Sequence, residues 1–355
     1  MLITAKSLSG EVYSLEVATE QEFCEIYLRD YVEPEYREFS TVKLVGSEYI
    51  MVENHDTLPW IELDELHWNR ICEMPEAIRL IEKNLEKVDW LCLSSNPAAI
   101  HILEQNLKEI DPLSLCLNRN ARSLLTRLEI DWENYDTFDW SLISASPSAI
   151  DIIHSYPHRI RWDSLSENPE AIDLLLENPD KIDWDVICMN PKGHRVWEKF
   201  PERLIWKVLC HNPHAVDFLE LHMDKIDWKE ISSNPQATRL LLQADPRKLD
   251  WKELSANPGA ISLLEQHEEK IHISEMARAN TQAIHLIEKY ISKVKGVDLC
   301  YNKAALSILQ KNPSLIEWDI VQQNSGLIPL LKDMPPVRID YRSLSMNKGI
   351  FFHDF

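Results

Sequence analysis

Apolar and polar positions over residues 60–355 repeat with a period longer than any single helix or strand produces. From Trp162 the chain reads Trp162-Asp163-Ser164-Leu165-Ser166-Glu167-Asn168-Pro169-Glu170-Ala171-Ile172-Asp173-Leu174-Leu175-Leu176-Glu177-Asn178-Pro179-Asp180-Lys181-Ile182-Asp183, and then begins again at Trp184, a step of 184 − 162 = 22 residues. The same anchor position recurs at Trp68, Trp90, Pro112, Trp140, Trp162, Trp184, Trp206, Trp228, Trp251, Ile273, Leu299, Trp318 and Tyr341. That makes thirteen modules, the last partial. Most steps are 22 or 23 residues; the irregular ones are 140 − 112 = 28, 299 − 273 = 26 and 318 − 299 = 19.

Each module predicts two short helices. Asp183, Asp227 and Asp250 stand before the anchor as N-caps, and Asp227 with Glu230, or Asp250 with Glu253, has the spacing of an acidic capping box. Six residues after the anchor come Asn96-Pro97, Asn168-Pro169, Asn190-Pro191, Asn212-Pro213, Asn234-Pro235 and Asn257-Pro258. Asparagine caps a helix, and proline at its first position sacrifices no hydrogen bond. In the second helix Ile172, Leu175 and Leu176 share one face, with Glu170, Asp173 and Glu177 opposite. A module this small buries its apolar face only against its neighbours, so residues 68–355 predict an α-solenoid of two-helix repeats with one continuous core. With layers about 8–10 Å apart, thirteen modules predict a rod or superhelix on the order of 100 Å long.

Residues 1–55 follow a different pattern. Met1–Lys6 alternates, Ser7-Leu8-Ser9-Gly10 turns, and Glu11–Val17 alternates again, which predicts a hairpin. A helix over 19–32 and strands at Thr41–Val45 and Tyr49–Val52 complete a small α+β domain, and residues 56–67 serve as linker or cap. Met1, Ile3, Lys6, Leu8, Gly10, Leu15, Glu16 and Val17 match the first hairpin of ubiquitin at the same spacing, so this segment resembles a truncated ubiquitin-like β-grasp domain. No diglycine ends it, and conjugation to targets is not implied.

Composition narrows the function. Glycine numbers 7 in 355 residues, so Gly-rich phosphate loops and flexible linkers are not major features. Lys+Arg 37 against Asp+Glu 58 leaves a charge of −21, which disfavours nucleic acid and anionic membranes as partners. Neither a signal segment nor an apolar run near twenty residues is present, so secretion and membrane insertion are not expected. Cys72, Cys116, Cys188 and Cys210 lie four residues after an anchor, where other modules carry Ser94, Ser144, Ser166, Ser232, Ser255 and Ser345. A small buried slot explains them better than a nucleophile, which serine could not replace module by module. Cys210-His211-Asn212-Pro213-His214 could be read as metal ligands, but Cys210 is the slot, Asn212 the cap, and no second ligand cluster follows. Neither a catalytic residue nor a cofactor or metal site is assigned. The anchor tryptophans read as packing between layers.

The module Asp-Trp-x-x-Leu-Ser-x-Asn-Pro-x-Ala-Ile-x-Leu-Leu, most complete over residues 161–184 and 227–264, resembles a repeat found in many copies in proteins of giant and other large DNA viruses. The resemblance implies a non-enzymatic protein–protein interaction and assembly scaffold, a structural or accessory (minor capsid-associated) virion component located in the virion or host cytoplasm. The alternative is an adaptor that engages host ubiquitin-pathway proteins through residues 1–55.

Departures from the repeat supply the candidate partner contacts. The long step from 112 to 140 contains Trp132, Tyr135 and Phe138 among acids, and aromatic side chains are favoured in interface cores, although a locally repacked loop is the plainer reading. The C-terminal half-module carries Phe351, Phe352 and Phe355, which either fold back as a plug or insert into a partner. Lys192-Gly193-His194-Arg195-Val196-Trp197 replaces the usual second-helix face and predicts altered packing around Trp197.

Overall fold

The structure is a computed structural model that describes residues 61–334 and 339–351, together with the strand backbone of 2–6, 12–16, 40–45 and 48–53. It divides into two compact units, Met1–Glu65 with Ile350–Phe355, and Leu66–Gly349.

In the first unit β1 (Leu2–Lys6), β2 (Val12–Glu16), β3 (Ser40–Val45) and β4 (Glu48–Glu53) form one sheet of order β2-β1-β4-β3. β1 pairs antiparallel with β2, with Ile3 opposite Leu15, and parallel with β4; β3 pairs antiparallel with β4, with Val42 opposite Met51. The helix expected over 19–32 lies outside the described residues.

The second unit is a helical repeat. A typical module has a first helix such as Trp184–Met189, a turn at Asn-Pro, a second helix such as Ile172–Glu177, and a closing 3₁₀ turn such as Pro179–Lys181. First helices pack directly on first helices: Trp90–Ser94 lies between Trp68–Cys72 and Pro112–Leu117, and Trp251–Ala256 lies against Ile273–Ala279. The aspartate caps form as expected; Asp183 Oδ1 accepts the Asp185 and Val186 amides at 3.1 Å each. The reciprocal half of the capping box does not form at Asp250. Its own amide donates instead to Ser232 Oγ of the preceding module at 3.0 Å, leaving nothing for Glu253 to accept. Among the described helices the full box is seen at Asp136 and Asp139, within the irregular step.

That amide-to-slot bond is one of two ladders joining successive modules. Ser94, Ser144, Ser166 and Ser255 accept the amides of Asp111, Arg161, Asp183 and His272 at 3.0, 3.0, 2.9 and 2.9 Å. The Cys300 thiol accepts from the Glu317 amide at 3.3 Å, which explains why cysteine and serine alternate in the slot: both are small acceptors. The second ladder belongs to the Asn-Pro asparagines. Asn234 Oδ1 caps the Gln236 amide at 3.1 Å, while its Nδ2 reaches back to Cys210 O (2.9 Å) and Asn212 O (3.0 Å). Asn96, Asn118, Asn168, Asn212, Asn257, Asn280 and Asn302 repeat the double contact, and all are buried.

These ladders correct the anchor register near the C-terminus. Cys300 and Asn302 are slot and ladder residue, so their anchor, four and six residues earlier, is Gly296 and not Leu299; the helix runs Gly296–Tyr301. The steps become 296 − 273 = 23 and 318 − 296 = 22, and only the 28-residue step remains irregular. Glycine stands at this anchor because a Cβ there would lie 2.3 Å from the carbonyl oxygen of Leu315.

Of the expected rod or superhelix, the extended rod is corrected as well. The His67 amide donates to Ser345 Oγ at 2.8 Å, the same slot bond made between sequence neighbours, and Lys348 Nζ meets Glu76 at 3.3 Å. The last module thus meets the first. A period fixes how often the chain repeats, but the rotation accumulated per module, which decides closure, arises from packing.

Anchor aromatics are half-buried, as at Trp68, Trp162, Trp184 and Trp251, and not wholly within the core. The residue nineteen positions later lays a cation on the ring: Lys181 Nζ is 4.3 Å from the Trp162 centroid, Lys270 Nζ 4.6 Å from Trp251, and Arg203 5.5 Å from Trp184. Trp197 is fully buried and its Nε1 donates to Ile187 O at 3.0 Å; a Cβ on Gly193 would lie 2.6 Å from the indole, so glycine there makes room for the ring. Among the described residues no helix is long and apolar enough to cross a membrane.

Candidate interaction site at the irregular module step

The extra residues between the third and fourth modules are tightly held. Asp131 Oδ1 accepts the Glu133 amide at 3.2 Å and its Oδ2 accepts from Asn134 Nδ2 at 2.7 Å, starting a 3₁₀ turn over Trp132–Asn134. Asp136 Oδ1 then caps the Phe138 and Asp139 amides at 2.7 and 2.9 Å, and Asp139 Oδ2 returns to the Asp136 amide at 2.9 Å, starting the helix Thr137–Ala145. The asparagine ladder crosses the step in altered form: Ser146 Oγ donates to Cys116 O and Ser148 Oγ to Asn118 O at 2.7 Å. Across the same step Arg122 grips Asp151 through two 2.8 Å bonds, and the guanidinium holds that carboxyl below its ordinary range.

The six candidate aromatics separate accordingly. Trp132 is 4% exposed, with the half-buried Tyr135 ring against it at 5.0 Å and 34°, so Trp132 repacks locally and offers no face to a partner. Phe138, 79% exposed, is the member of that set open to a partner. Phe351 is buried, so its side chain is no exposed anchor either; Phe352 and Phe355 lie outside the described residues.

One further surface carries no aromatic signal in the sequence. Three consecutive modules line a groove of about 680 Å³ with Ala145, Pro147, Pro169, Val186, Met189 and Pro191, beside Glu167 and Asp185. Among the described residues neither acid forms an ion pair, whereas Glu230 on a later first helix is held by Lys207 at 2.9 Å and His211 at 3.0 Å. The exposed Leu91, Leu117 and Met189 stand one or five residues after an anchor. The signal that could have identified this surface is the variation at those two offsets: once slot and ladder positions are assigned, they are among the first-helix positions free to differ.

The slot thiols are unsuited to nucleophilic chemistry. Burial pushes Cys72, Cys188 and Cys210 up to about 11 and Cys116 up to about 12, far above the range of activated thiols. His211, in the sequence read as a possible ligand, bonds Ser233 Oγ at 2.8 Å and Glu230, and among the described residues no group of three or more His, Cys, Asp or Glu gathers as for a metal. A pH dependence follows. An acid whose folded pKa is raised stabilises the fold fully below its unfolded pKa near 8.5, and that stability falls as pH rises toward 11–12, because the unfolded thiol ionises first. Urea melts at rising pH are expected to show this alkaline loss, reduced when Cys72, Cys116, Cys188 and Cys210 are replaced by the serine used in other modules.

Compared with known proteins, the chain matches no family model, no curated protein and no solved structure.

Proposed function

We propose that the chain is a non-enzymatic scaffold for protein–protein interaction and assembly, a closed α-solenoid acting as a structural or accessory, minor capsid-associated component of a large DNA virus. The observation that carries this reading is the division of labour within each module. Slot and asparagine positions repeat one buried set of inter-module bonds, while the first-helix offsets one and five vary from Leu91 to Asp185 to Lys207. Such an arrangement presents a different chemistry at each step of a rigid frame, as suits binding several protein surfaces. The acidic total favours basic partner surfaces and no nucleic acid.

Quantifying the protein in purified particles against infected-cell lysate tests the virion role. A fixed copy number per particle that survives salt washing is expected; presence in lysate alone would overturn it.

A second reading, an adaptor to host ubiquitin-pathway proteins, is favoured by the order β2-β1-β4-β3 with a parallel β1–β4 pair, which is compatible with a ubiquitin-like β-grasp sheet. It requires the full chain to capture ubiquitin-binding proteins and free ubiquitin to compete; capture unaffected by ubiquitin would remove it.

A further inference from the structure

Trp140 is the anchor that departs from the half-buried rule: it is 1% exposed, with the guanidinium of Arg159 5.6 Å from its ring centroid. Beside it lies a cavity of about 170 Å³ lined by Thr137, Trp140, His158, Arg159, Ile160 and Arg161, enough for several waters or one small anion. Trp140 Nε1 and Arg161 Nε are buried, and among the described residues neither has a hydrogen-bond partner. Both belong to residues lining this one cavity.

Three side chains of the lining are otherwise engaged. The inserted segment takes two of them, since His158 Nε2 meets Glu133 at 3.1 Å and Arg159 Nη2 donates to Tyr135 O. Arg161 is held by its amide bond to Ser144 Oγ, and its Nη2 stands 3.7 Å from Asp163. What remains is a pair of N–H donors with no acceptor. A buried unpaired donor is costly, and two at one cavity call for a common partner. That partner must accept from both, and the flanking guanidinium groups favour one carrying negative charge.

We propose that this cavity is an oxyanion site, in which a carboxylate or phosphate oxygen accepts from Trp140 Nε1–H and Arg161 Nε–H beside the positive charge of Arg159. The inserted residues 131–136 create the site: by holding His158 and Arg159 they confine the space next to Trp140. The regular modules lack this segment, and their anchor rings stay half-open.

The test uses the full chain with ¹⁵N-labelled indoles, the Trp140 signal being assigned by its loss in Trp140→Phe. At constant ionic strength, sodium phosphate or sodium acetate is expected to move that signal saturably, and sodium chloride to leave it in place. Arg161→Lys keeps the charge but removes Nε–H, and it should raise the dissociation constant at least tenfold. A response to phosphate alone assigns a phosphoryl ligand, to acetate alone a carboxylate, and to both a general oxyanion site. Absence of a saturable shift with either salt, or equal affinity in Arg161→Lys, would overturn the proposal and leave water as the occupant. Should Trp140→Phe fail to fold, the melting temperature gives a readout that does not need it: the effective oxyanion should raise it in the wild type over chloride, but not in Arg161→Lys.

Discussion

Asn234→Ala is expected to lower the unfolding free energy by about 2–4 kcal/mol, more than any surface charge change in the repeat. The side chain is buried and makes three bonds: one caps the Gln236 amide, and two satisfy the Cys210 and Asn212 carbonyls of the preceding module. Loss of an N-cap costs about 1 kcal/mol, and a buried carbonyl left unpaired costs about 1–3 kcal/mol; Cys210 O is that carbonyl, since Asn212 O also accepts the Ala215 amide at 3.1 Å. Urea denaturation measures the sum. Asn234→Asp separates the two roles, since aspartate is as good a cap as asparagine. If capping were the main role, Asp would be tolerated. If the ladder dominates, Asp is at least as damaging as Ala, because a carboxylate without a donor then faces two carbonyl oxygens. Breaking the exposed Arg239–Asp217 pair, 2.8 Å long, serves as the control, with an expected cost below about 1 kcal/mol. Closure supplies an internal comparison. In the first module the ladder position is Met74, whose side chain has no donor, and the contact with the last module includes the His67–Ser345 bond and the Lys348–Glu76 pair. Met74→Asn should therefore stabilise by about 1 kcal/mol.

Gly296→Trp restores the residue most often found at an anchor, and substitutions toward a repeat consensus commonly stabilise. Here the opposite is expected, a loss of about 2–3 kcal/mol. Any Cβ at 296 would meet the Leu315 carbonyl oxygen at 2.3 Å, and backbone cannot yield as a flexible side chain does. Gly296→Ala should already show part of the effect in a thermal melt. A neutral or stabilising result for both would mean that the Gly296–Tyr301 helix and the Leu315 turn do not approach as described, and would return the anchor to Leu299.

Of the candidate site, Phe138 was legible because an exposed aromatic in an irregular step breaks the pattern, but its neighbours Trp132 and Tyr135 break it in the same way. Sequence spacing does not distinguish an aromatic that leaves the surface from one that turns inward. The oxyanion cavity was not legible at all. Its donors, Trp140 and Arg161, occupy ordinary anchor and pre-anchor positions, and only the path of residues 131–136 confines the space beside them.

What the sequence determined by itself was everything local in range: the period, the two helices of each module, their Asp and Asn caps, the proline starts, and a slot shared by serine and cysteine. These follow from backbone geometry and hydrogen-bond chemistry within a few residues. The tertiary structure alone decided that slot and asparagine residues serve the preceding or following module as well as their own, that Gly296 is an anchor, and that His67 meets Ser345 across 278 positions. The physical reason is that these depend on the distance and rotation between neighbouring modules. Both are products of side-chain packing summed over the whole repeat, and no single module encodes them.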